Sequence, residues 1–93
     1  MRNNNFSFRV HVETHDQTGA VVAVYFQIRK GKVKTTKEYA NGNAFADYDR
    51  RGQLLGIELL APCRAAVLDR IAGQASTKRF LRNTVPSGML VPA

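Results

Sequence analysis

At 93 residues, 44% of them apolar and 23% charged, the chain has material for one modest hydrophobic core and too little for two. A lone cysteine, Cys63, excludes an intramolecular disulfide, and the longest apolar run, Ala20–Phe26, falls far short of the roughly 20 residues of a membrane-spanning helix. The formal charge of +7 admits nucleic acid, an anionic surface or an acidic protein as partner. The first residues, Met1-Arg2-Asn3-Asn4-Asn5, carry no apolar h-region, so a reducing, cytoplasmic setting is expected.

In chain order, residues 1–5 read as a flexible terminus. Phe6, Phe8, Val10 and Val12 alternate with Ser7, Arg9, His11 and Glu13, the period of a strand with one buried face, over about 6–14. Asp16-Gln17-Thr18-Gly19 supplies a turn, and Ala20 to Arg29 is β-branched and aromatic on both sides, as a central strand is. Lys30-Gly31-Lys32 reverses the chain into Val33–Tyr39, whose lysines suit an edge. Asn41-Gly42-Asn43 leads to Ala44–Tyr48, and a last strand runs from Gln53 to about Leu60 with Leu55, Ile57 and Leu59 on one side. Between them, Asp49 can turn its carboxylate onto nearby backbone N–H groups and Gly52 can take positive φ, so the chain reverses over Arg50 and Arg51.

After the strands, Pro62 is acceptable in the first turn of a helix, and Arg64 to Ala72 places Val67, Leu68, Ile71 and Ala72 on one side. Gly73 can end that helix; a second starts near Ser76 with Phe80 and Leu81 and stops before Pro86 and Gly88. The expected fold is α+β: a single domain over 1–93, with an antiparallel β-meander of about five strands over 6–60. One or two carboxy-terminal helices over 62–83 pack on the sheet, and a tail follows over 84–93. Because the second strand offers Val22, Val24, Phe26 and Ile28 to one side and Val21, Ala23 and Tyr25 to the other, a homodimer or higher oligomer is expected.

The central segment carries a resemblance. Ala23-Val24-Tyr25-Phe26-Gln27-Ile28, Gly31-Lys32-Val33, Thr36 with Glu38, and above all the hairpin Asp47-Tyr48-Asp49, Gly52 and Gly56-Ile57-Glu58-Leu59-Leu60 resemble the bacterial domain of unknown function 2283. The likeness covers roughly 15–61. It implies a small antiparallel meander followed by helix and transfers no activity. Because some members are encoded beside small toxin-like proteins, it also implies a toxin-neutralising partner role. The chain departs from that pattern in a less acidic first turn, apparently two extra residues before the second strand, and a longer basic end. Its net positive charge is poorly matched to a basic toxin.

Five groups of residues are candidates for function. Lys30, Lys32 and Lys34, with Arg29 and Lys37 beside them, and Lys78, Arg79 and Arg82 near the carboxy-terminus form two basic clusters suited to phosphate, although most charge runs are solvated surface. Tyr25, Phe26, Tyr39, Phe45 and Tyr48 are aromatics near those cations, as in a single-strand stacking platform, but core packing explains most of them better. His11, Glu13 and His15 alternate on one strand face, yet consecutive same-face residues stand about 7 Å apart, which makes convergence on a metal awkward. Asp47 and Asp49 share a face as paired carboxylates would, with turn formation the better reading of Asp49, and Glu58 can pair with a cross-strand lysine. Cys63 reads as an unreactive small residue. No cofactor or metal is expected, and the function expected is that of a non-enzymatic protein-interaction module, with a toxin-like protein as the partner the resemblance implies, the alternative being nucleic-acid binding through the two basic clusters.

Overall fold

The computed structural model describes residues 7–73, 75–84 and 90–91, without the side chains at 75, 76, 82 and 84. The expected flexible terminus over 1–5, the side chain of Arg82 and most of the tail lie outside the described residues. Five strands, β1 Arg9–Thr14, β2 Val21–Gln27, β3 Thr35–Tyr39, β4 Ala44–Tyr48 and β5 Leu54–Leu60, form one sheet, followed by helices α1 Ala65–Ala72 and α2 Ala75–Thr84. The fold is α+β. Every pairing is antiparallel, and the strand order is β1-β2-β5-β4-β3. Thus β1–β2 and β3–β4–β5 are hairpin-connected, while β2 is completed by β5 and its connection to β3 crosses the end of the sheet.

Local chemistry explains that crossing. Past β2 the backbone holds to the start of β5, with the N–H groups of Ile28 and Arg29 both donating to the Leu55 carbonyl (2.8 and 3.2 Å) and the Lys34 N–H donating to the Tyr48 carbonyl (2.8 Å). Gly31 lies so close to Leu55 that an added Cβ would sit 2.8 Å from Leu55 Cδ2. The segment read as a tight reversal at Lys30-Gly31-Lys32 is therefore a strap across the sheet end, and β3 begins two residues later than expected, at Thr35. It lands on the outer edge.

The β4–β5 turn forms as its residues dictate. Asp49 Oδ1 accepts from the N–H groups of Arg51 (2.9 Å) and Gln53 (2.8 Å), and Gly52 takes φ +81°, a conformation that side chains disfavour.

One sheet face is sealed. Val24, Phe26, Ile28, Ala44, Ala46, Ile57 and Leu59 are at most 1% exposed. Over them lie Leu68, Ile71 and Ala72 of α1, which recur at helical spacing, and Leu81 of α2. Phe80 meets Phe8 edge-on at 5.3 Å. Pro62 lies in the turn ahead of α1 rather than in its first turn, with Arg64 as N-cap and Gly73 closing the helix at φ +70°. Leu90 packs against the core, and Val91 exchanges backbone bonds with Cys63 and Ala65 (2.8 and 2.9 Å), anchoring part of a segment whose composition reads as unstructured.

Candidate functional site

The face opposite the helices carries no covering element among the described residues. Alternation and register place three rows there: Arg9, Gln27, Gly56, Asp47 and Thr36; His11, Tyr25, Glu58, Phe45 and Glu38; and Glu13, Ala23 and Leu60. Directly paired residues of an antiparallel ladder share a face. Four of the chain's 7 carboxylates, Glu13, Glu38, Asp47 and Glu58, therefore share this face, and among the paired strand residues described Arg9 is its one lysine or arginine. At its centre Tyr25 and Phe45 are half-buried, Leu60 likewise, and Ala23 is buried. In a chain of charge +7, apolar and acidic side chains thus share one face.

Tyr25 organises the centre. Its ring lies across Gly56, where a Cβ would come within 2.6 Å of Tyr25 Cζ, and its hydroxyl donates to Asp47 Oδ2 (2.9 Å). Thr36 donates to the other oxygen, Oδ1, at 2.6 Å. The Asp47 carboxylate is thus spent on ordering β2, β4 and β3. Burial, the bond to Asp47 and the negative charges of Asp47 and Glu58 push the Tyr25 hydroxyl up to about 12. This group stays a neutral donor at any physiological pH.

The second region is the sheet end where the strap passes the β4–β5 turn. There Lys32, Val33, Lys34, Asp49, Arg50, Arg51 and Gln53 line an open cleft of about 590 Å³. All four cations are exposed. Arg29 stands behind them, its Nη1 donating to the Leu54 carbonyl at 2.7 Å, and Lys30 lines an adjoining hollow with Tyr25 and Gln27. Of the two basic clusters expected from the sequence, Lys30, Lys32 and Lys34 thus belong to this end, whereas Lys78 and Arg79 sit on α2. Arg50 and Arg51, read in the sequence as mere turn residues, join the first cluster. The β3–β4 hairpin, with Thr35 opposite Tyr48, sets them beside Lys34 and Lys32.

The remaining candidates resolve individually. His11 and Glu13 lie on the open face of the edge strand, but His15 falls beyond it, its Nδ1 accepting from the Gln17 N–H at 3.2 Å; a bulge between Glu13 and Thr14 breaks the alternation. Among the described residues no three His, Cys, Asp or Glu side chains are grouped to hold a metal ion. Asp47 and Asp49 are separated by a second bulge and bond different partners. Glu58 has Tyr25 and Phe45 as register neighbours, not a lysine. Cys63 is buried, donates to the Leu59 carbonyl at 3.4 Å, and is pushed up in pKa by burial. The aromatics divide between the faces: Phe26 is core, Tyr39 and Tyr48 bond each other through their hydroxyls at 2.8 Å, and only Tyr25 and Phe45 share the open side.

The site thus defines a class by its architecture: a small α+β sheet protein with one sealed face and one open, acid-rimmed face. Compared with protein-family models, curated proteins and solved structures, the chain matches none. No helix among the described residues is long and apolar enough to cross a membrane.

Proposed function

We propose that this chain is a non-enzymatic protein-interaction module of the cytoplasm whose open sheet face docks a partner protein presenting a basic surface. One observation carries the reading: Glu13, Glu38, Asp47 and Glu58 share a face with the half-buried Tyr25, Phe45 and Leu60, and no helix among the described residues covers it. An apolar centre within a polar rim is the usual anatomy of a recognition surface, and like-signed rim charges select the partner and speed its approach. The net charge of the chain argues against a basic, toxin-like partner, but partners meet surfaces rather than sums, and this surface is acidic. Two copies pairing through the same face would set four carboxylates against four more, so in this reading a basic partner, and not the second copy expected from the sequence, covers the open side of β2.

Recovery of the tagged protein from its native lysate at moderate salt, after nuclease treatment, tests the reading. A stoichiometric basic protein should be retained by the wild type and lost from Glu38→Lys/Glu58→Lys, a variant whose melting temperature should stay close to wild type. Equal retention by both proteins would remove the open face from the proposal.

A further inference from the structure

The basic cleft at the sheet end is lined by none of the open-face residues named above. We propose that Lys32 and Lys34 on the strap and Arg50 and Arg51 on the β4–β5 turn together grip the phosphodiester backbone of a single-stranded nucleic acid. The two walls come from segments that are distant in the chain and are held apart by bonds of their own. The strap is fixed through Leu55 and Tyr48 and the turn through Asp49, so the four cations face an opening whose shape is set before any ligand arrives.

The one acid lining the cleft, Asp49, already uses Oδ1 to accept two backbone N–H groups of its turn. It leaves the lining strongly positive. Arg50 and Arg51 add planar donors that match phosphate geometry, while Lys32 and Lys34 act as point charges.

Cleft shape and charge number select the ligand class. A free phosphate in so open a cleft, about 590 Å³, keeps most of its water and meets few cations at once. A polyanion that engages all four together releases several condensed counterions, which drives binding. A flat anionic membrane cannot reach into a concavity between two turns, whereas a flexible strand can lie along it. Val33, 49% exposed between the two lysines, offers an apolar contact for a base or sugar. The acidic open face repels the same polyanion and confines it to the sheet end.

Fluorescence anisotropy with a labelled mixed-sequence single-stranded DNA of about 20 nucleotides, longer than a single-module site, tests this. Wild-type affinity should fall steeply between about 50 and 200 mM salt, and each cleft pair, Lys32→Ser/Lys34→Ser or Arg50→Ser/Arg51→Ser, should weaken it about tenfold and flatten the log–log salt slope by about 1.4. The α2 pair Lys78→Ser/Arg79→Ser removes the same net charge and should change affinity by less than about twofold, because it leaves the contacted phosphates their partners. Circular dichroism melts confirm that each variant is folded; the substituted side chains are not part of the core. Absence of wild-type binding at the lowest salt overturns the proposal, as does an equal loss in the α2 pair. So does cleft-dependent binding to phosphatidylserine vesicles or inorganic phosphate with none to the oligonucleotide.

Discussion

The two faces of the sheet are built from the same strands, often from adjacent residues, yet they are held by different physics. On the covered face Phe26, Ile57, Leu59 and Val24 are at most 1% exposed and fill the space beneath two helices. On the open face Tyr25, Gly56, Asp47 and Thr36 are ordered by a ring lying on a glycine and by a carboxylate shared between two hydroxyls. Apolar burial is non-directional and supplies most of the stability; the polar lattice is directional and holds a surface in one shape without a cover.

That contrast can be broken on its covered side first. Ile57→Ala removes buried methylenes against α1 and should cost about 2–5 kcal/mol in urea unfolding, a large part of the stability of so small a domain. On the open side the largest effect should come from Gly56→Ala, which puts a methyl group where the Tyr25 ring lies and should cost about 1–3 kcal/mol by overpacking. If the ring is the cause, the penalty largely disappears in a Tyr25→Ala background, and a double-mutant cycle reads that coupling directly. A penalty that persists there would locate the conflict in the backbone instead.

The smallest effect sharpens the comparison by pH. Tyr25→Phe deletes one hydroxyl and should cost about 1 kcal/mol at neutral pH. The Tyr25 hydroxyl stands near 12 in the folded chain and near 10 in an unfolded one. Its neutral form therefore contributes stability that is fully present below about pH 10 and is lost as pH rises from there through about 12. Tyr48, raised by burial and by its bond to Tyr39, adds to the same decline. Chemical denaturation from pH 9 to pH 12 should accordingly show a flatter decline in Tyr25→Phe than in wild type, but not a level line.

Much of this was legible along the chain. Strand alternation is a local property, so Val10 and Val12, or Ile57 and Leu59, declare their shared face without help, and the Asp49–Gly52 turn follows from one carboxylate and one glycine. The same holds for α1, whose Leu68, Ile71 and Ala72 recur at helical spacing. The sites were less legible. His15 sits one residue past the end of β1, where alternation no longer applies, and a metal reading that extends the pattern through it fails for that reason. Asp47 and Asp49 look like a pair only until their partners are known: Asp47 accepts from Tyr25 and Thr36, Asp49 from the backbone of its own turn.

What the residues alone determined is the list of elements, the alternation along β1 and β5 and the chemistry of the Asp49–Gly52 turn, because all of these depend on neighbours within a few positions. Which strand completes β2 depends on competition between distant partners, and there the tertiary structure decided for β5 over β3. The β3–β4 hairpin register already sets Lys32 and Lys34 beside Arg50 and Arg51. The choice of β5 laid the strap across the sheet end and joined Glu13 to the face of Glu38, Asp47 and Glu58, because a pairing between strands distant in the chain is recorded in no local pattern.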